Sequence, residues 1–219
     1  MGVFEDAGIP YHLGGELTLR EACAKARAPL DRVLAEVHGE IARPREVVVD
    51  WTTAPLTDLL SHIVDGHHAF SRQLCDQIRL GFRIAQRAHS EWRFLVRLET
   101  SFDAFATELV RHFQDEETVA FRYVDALSRK VVPHTPFPSV HGPTGILEFE
   151  HESVDETMAQ LRKLSDGYVT PPGACSALRS SIAGMMVLER DLHEHLHLEN
   201  NVLFPRARSL EGELWQPRT

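Results

Sequence analysis

The 219-residue chain predicts an all-α fold, an antiparallel four-helix bundle carrying a small N-terminal helical unit. Three observations point there. Beyond residue 55, apolar residues recur with the 3.6-residue period of helices through four long stretches, with almost nothing that alternates like a strand. The breaks between these stretches are short, which places successive helices side by side and antiparallel. A charged sentence is also written twice, HFQDEETVAF from His112 and HLHLENNVLF from His195, each with Glu four places after His, Val at the eighth place and Phe at the tenth.

The elements follow in order. Thr18-Leu19-Arg20-Glu21 has the form of a capping box, in which hydroxyl and carboxylate satisfy free backbone N–H groups. A helix from there to about Arg27 is followed by a second from Pro29 through LDRVLAEV, closing a unit that spans residues 1–45. IARPREVVVDWTTAP reads as a linker punctuated by Pro44 and Pro55, with VVV as a short extended piece. The bundle is expected over 55–208, with helices at about 55–87, 90–130, 144–165 and 176–201. VVPHTPFPSVHGP and DGYVTPPGACS make the later breaks, and Pro205 is expected to end the last helix.

Composition narrows the function. Apolar residues make up 43 % of the chain, enough for a real core. A net charge of −9 argues against nucleic acid, which selects basic surfaces. No apolar run approaches the ~18 residues of a membrane span, and MGVFEDAGIP lacks a basic start or an apolar signal core. Cys23, Cys75 and Cys175 are odd in number and widely spaced, which suits a reducing cytoplasm. The expectation is a cytoplasmic protein, with oligomeric state left open.

Thirteen histidines ask for a reason. His68 precedes His112 by 44 residues, and His151 precedes His195 by the same 44. With the glutamates the pattern is H-x43-H-x3-E, once ending at Glu116 and once at Glu199, the copies offset by 83 residues. Two similar helical hairpins would bring all six groups to one level of the bundle. Each lies in an apolar stripe: His112 and Glu116 with Phe105, Leu109 and Val119, His195 and Glu199 with Leu188, Leu192 and Val202. His68 shares a face with Leu60, Val64 and Cys75, and His151 with Leu147, Val154 and Met158. Two carboxylates buried there cost several kcal/mol each unless a cation compensates them.

A metal supplies that charge. Four imidazoles and two carboxylates suit two borderline ions, iron or manganese, about 3.5–4 Å apart. Carboxylates from facing helices can bridge such a pair, and six groups cannot fill two octahedral spheres, so positions remain for water, an oxo bridge or a diatomic ligand. His193-Glu194-His195-Leu196-His197 also satisfies the zinc-protease pattern H-E-x-x-H. His193 and His197 lie about 200° around the helix from His195, with Glu189, Arg190, Asn200 and Asn201 on an expected wet side. His62, His67, His89, His134 and His141 have no partner at ligand spacing and read as surface or supporting groups. Asp115, Glu117 and Glu194 read as solvated.

LLSHIVDGHHAF, RHFQDEETVAF, LEFEHESV, TPPGACSALR and DLHEHLHLENNVLFPRA resemble the hemerythrin-like di-iron proteins of the repair of iron centres family. FEDAGIPYHLGGELTLREAC resembles that family's N-terminal domain, and the likeness covers roughly residues 1–208. The resemblance implies a carboxylate-bridged non-haem di-iron site, with His68, His112, His151 and His195 as terminal ligands and Glu116 and Glu199 as bridges. It also implies bacterial defence against nitric oxide and oxidative damage to iron–sulfur proteins. One departure is clear: the family's two adjacent cysteines are replaced by His12 and Leu13, so that loop has no thiol pair, and His12 reads as a solvated loop residue rather than an exchangeable ligand. Oxygen-carrying hemerythrins need a fifth histidine where this chain has Asp155. Three roles stay open: an NO-reactive di-iron oxidoreductase that protects or repairs iron–sulfur centres, a non-catalytic NO, O2 or redox sensor docking a protein partner through its N-terminal unit, and a ferroxidase or oxygen binder.

Overall fold

A computed structural model describes residues 2–13, 15–42, 49–131 and 136–215. The described residues are helical with no strand. The extended piece expected at VVV lies mostly outside them.

Three short helices open the chain: α1 (Gly2–Asp6), α2 (Leu19–Ala26) and α3 (Leu30–Ile41). The capping box forms as expected, the Thr18 hydroxyl accepting from the Glu21 N–H and the Glu21 carboxylate accepting from the Thr18 N–H. Arg27 closes α2 in the left-handed conformation at φ 56°. Ile9, Cys23 and Val33 form a small core of their own. Helix α1 was not anticipated, since five residues carry too little periodicity to register.

The bundle follows. Helix α4 runs over 56–88, α5 over 93–128, α6 is His141–Leu164, and α7 runs over 176–214. Each packs on the next, and α7 returns against α4, the most intimate pairing of the four. Gly184 permits that closeness, because a Cβ there would stand 2.9 Å from Ile78 Cγ1. Three of the four helices change pitch midway: π-helical turns occupy Ile63–His68 in α4, Glu116–Ala120 in α5 and Glu199–Leu203 in α7. The expected stop at Pro205 does not occur. Pro205 falls in the first turn after the π segment, and α7 continues to Leu214.

Two apolar cores fill the bundle. One contains Phe82, Phe102, Phe113, Ile182 and Leu192, and the other Leu59, Ile63, Val124, Leu203 and Phe204. Along every helix the polar residues of the repeat lie where one core gives way to the other. The second core is anchored by buried Glu211, which accepts hydrogen bonds from Tyr123 Oη at 2.7 Å, Ser139 Oγ at 2.6 Å and the Val140 N–H at 2.9 Å.

Candidate metal centre

All six repeat residues meet in the middle of the bundle, and none is more than 3 % exposed. The π turns place them. His68 ends the first π segment, while Glu116 and Glu199 each begin one, a single turn after His112 and His195. A spacing of four residues puts His and Glu on one helix face, and after the wider turn Val202 still packs in the core while Val119 is half-buried.

Each carboxylate spans the cluster. Glu116 Oε1 lies 2.8 Å from His112 Nε2 and 3.3 Å from His151 Nε2, while its Oε2 lies 3.2 Å from His68 Nε2. Glu199 Oε2 is 3.1 Å from His151 Nε2 and Oε1 is 3.1 Å from His195 Nε2. His68 and His195 face each other with their Nε2 atoms 3.2 Å apart. The donors thus divide into two half-sites, His112 with His151 and His68 with His195, and both glutamates offer one oxygen to each. Every half-site draws one histidine from each copy of the repeat.

Of these short contacts, only those of His151 with Glu116 and of His68 with His195 have hydrogen-bond geometry. His112 Nε2, Glu116 Oε2 and both Glu199 oxygens are buried without a hydrogen-bond partner, although an imidazole nitrogen or a carboxylate oxygen stands near each. Donor atoms aimed at one shared ion lie about 2.9–3.4 Å apart, given metal–ligand bonds near 2.0–2.1 Å. The observed spacings fall close to that range, so the donor set fits metal ions.

The electrostatics agree. Burial opposes charge on Glu116, yet His112, His151 and His68 around it hold its carboxyl well below the usual range. Burial and the charge of Glu116 push Glu199 up, and contacts with His195 and His151 more than offset them. Burial likewise lowers the His151 imidazolium, but the two carboxylates bring it up to about 10. The pocket holds two ionised carboxylates and calls for positive charge, which protons or metal ions supply.

Around this cluster the imidazoles are oriented from behind. His68 Nδ1 donates to Glu117 at 2.7 Å, a carboxylate also held by Arg72 at 2.8 Å. His112 Nδ1 donates to Glu150 at 2.8 Å, and His151 Nδ1 to the Asn200 side-chain oxygen at 2.8 Å. These bonds put hydrogen on Nδ1 and leave Nε2 as the donor atom facing the cluster. His195 Nδ1 has no such partner. Beside it His67, bonded to Asp191 at 3.0 Å, stacks at 5.7 Å. Glu117 is therefore half-buried support rather than a solvated residue, and its signal was only its place next to Glu116. Phe121 and Phe204, the matched last letters of the repeated sentence, stack on His68 at 5.7 Å and on His151 at 6.0 Å.

The expected wet side of α7 is covered except at Arg190, which stays exposed. Its Asn200 and Asn201 amides donate to the His12 and Tyr11 carbonyls, both at 2.9 Å, and buried Glu189 pairs with Arg162 at 2.8 Å. Gly15 passes so close that a Cβ there would overlap the Asn201 side chain. His12 is consequently buried rather than solvated, bonded through Nε2 to Asp155 at 2.9 Å and stacked on His193 at 4.1 Å. His197 bonds Asn201 and packs on Tyr11, so the H-E-x-x-H residues do not gather as a protease site.

Known proteins share this plan. The chain is 30 % identical over 212 residues to the iron–sulfur cluster repair protein YtfE of Yersinia pseudotuberculosis, covering 96 % of this chain and 91 % of that one. The YtfE of Pectobacterium atrosepticum is 29 % identical over the same shares. The hemerythrin HHE cation binding domain matches residues 59–207, which contain the four histidines and both glutamates of the cluster. The chain belongs to the hemerythrin family. Within it, the likeness along nearly the full length groups this hemerythrin-like protein with the repair of iron centres type. No described helix of it is long and apolar enough to cross a membrane.

Proposed function

We propose that this hemerythrin-like protein holds two iron ions, one between His112 and His151 and the other between His68 and His195, bridged by Glu116 and Glu199. We further infer a role in nitrosative and oxidative stress, in which it binds or turns over nitric oxide and protects or helps repair iron–sulfur centres. The observation carrying this reading is the sharing of both carboxylates between the half-sites. Ferrous iron with imidazole and carboxylate donors supplies an electron-rich centre for a diatomic ligand. The protein contributes fixed Nε2 donors, two apolar cores that exclude water, and the hydrogen bonds that the imidazoles donate to Glu117, Glu150 and the Asn200 oxygen. The relatives named for iron–sulfur cluster repair support the client class. Asp155, where an oxygen carrier needs its fifth histidine, turns away to His12 and weighs against reversible oxygen carriage.

A second reading, a sensor that signals through its N-terminal unit, is favoured by Asn200. Its oxygen accepts from His151 and its nitrogen donates to the His12 carbonyl, so one amide joins the cluster to the loop that carries His12 in place of thiols.

Anaerobic titration of the reduced, iron-loaded protein with NO, followed by optical and EPR spectra, tests the proposal. Saturable spectral change with NO, and oxidation by air without a long-lived oxygen adduct, is the expected result. A stable reversible oxygen adduct without an NO response would contradict it.

A further inference from the structure

We propose that docking of the N-terminal unit is linked to occupancy of the metal cluster through the π turn Glu199–Leu203 of α7. The inference rests on the reading of Glu199 as a ligand of the iron pair. One end of the turn is that carboxylate, whose two oxygens each lie 3.1 Å from a histidine Nε2. The next two residues clamp the loop after α1, Asn200 donating to the His12 carbonyl and Asn201 to the Tyr11 carbonyl. Asn201 is itself steadied by His197 Nδ1 at 2.8 Å, and Gly15 lies against its side chain.

The matching turn of the first copy shows what seating a carboxylate requires by itself. The offset of 83 residues sets Glu117 and Thr118 against Asn200 and Asn201. Glu117 turns to His68 and Arg72, while Thr118 is exposed and bonds the Gln114 carbonyl one turn back. Neither reaches the N-terminal unit, so the asparagine pair answers to the loop rather than to the turn. A π turn holds one residue more than an α turn, and relaxing it rotates one side against the other by about 100°. On its C-terminal side Leu203 and Phe204 are fully buried in the second core. The slack therefore falls on residues 199–201, where an ion on Glu199 holds the register and keeps both amides aimed at the loop. His12 also bonds Asp155 and stacks on His193 away from the turn, so the cluster sets how firmly the loop is held rather than whether the chain folds. Coupling between binding equilibria is reciprocal, and a docked loop in turn retains iron.

Hydrogen exchange of residues 9–15 and 199–204, read by mass spectrometry on the full-length protein with and without iron, tests the link. Iron should slow exchange in both segments by about tenfold or more, the size of an ordinary coupling. Gly15→Ala pushes the Asn201 side chain aside and Asn201→Ala removes it, while all six cluster residues stay in place. With folding checked by circular dichroism, each variant should return the iron-loaded loop to the exchange of the metal-free protein. Each should also speed iron transfer to a chelator by about fivefold or more. Loop exchange indifferent to iron, or iron transfer unchanged in both variants, would overturn the link. Iron counted in the native sample reports on the cluster itself, so two ions beside an indifferent loop strike the link and leave the cluster standing.

Discussion

The two copies of the repeat build one metal cluster but support it differently. An offset of 83 residues carries His68, His112 and Glu116 onto His151, His195 and Glu199, and the π turn at Glu116–Ala120 onto that at Glu199–Leu203. The same offset carries Glu117 onto Asn200 and His67 onto Glu150. Both histidines of the first copy are therefore backed by carboxylates, whereas His151 is backed by an amide and His195 by nothing at Nδ1. A carboxylate behind an imidazole raises its basicity and fixes its ring. The pseudo-symmetry is tight in the inner donors and relaxed in the residues behind them, so the half-site containing His195 is the looser of the two.

The largest effects should come from the carboxylate-backed copy. Glu117→Gln or Glu150→Gln should each weaken iron binding about 10–100-fold, measured by competition with a chelator, with the fold intact by circular dichroism. Asn200→Ala should cost less, below about tenfold, because a neutral acceptor adds less basicity to His151. Equal losses from all three would erase the contrast between the copies.

The smallest effect sharpens the contrast between the two half-sites through pH. The two carboxylates hold His151 up at about 10 against the opposing pull of burial, while burial wins at His195 and lowers it. In the metal-free protein, the raised group contributes stability that is fully present below its ordinary value of 6.5 and is lost as pH rises through about 10. A metal must displace that proton, so iron affinity should rise with pH across this window with proton release, followed by calorimetry in buffers of different ionisation enthalpy. Flat affinity from pH 6.5 to 10 would contradict it.

The inner cluster was legible in the sequence because helical periodicity, a repeat offset and the cost of burying carboxylates all converge on the same six residues. The α2 cap, the spans of α4, α5 and α6 and the start of α7 were legible for similar local reasons. What periodicity could not show was a second body. Asn200, Asn201 and His193 read as a wet face because nothing local says that the first 42 residues lie against it. His12, met as a lone loop histidine, acquires Asp155 only through a contact between residues 143 positions apart. The π turns are equally hidden, since a single wider turn shifts register without altering composition, and one of them lets α7 run past Pro205.

The central claim is that Glu116 and Glu199 are each shared by both half-sites. Iron content of Glu116→Ala and Glu199→Ala, measured by elemental analysis on protein purified without air, tests it most directly. Sharing predicts that either substitution lowers iron at both positions together, well below the native two per chain that we propose. Retention of two equivalents of iron by either variant would contradict it.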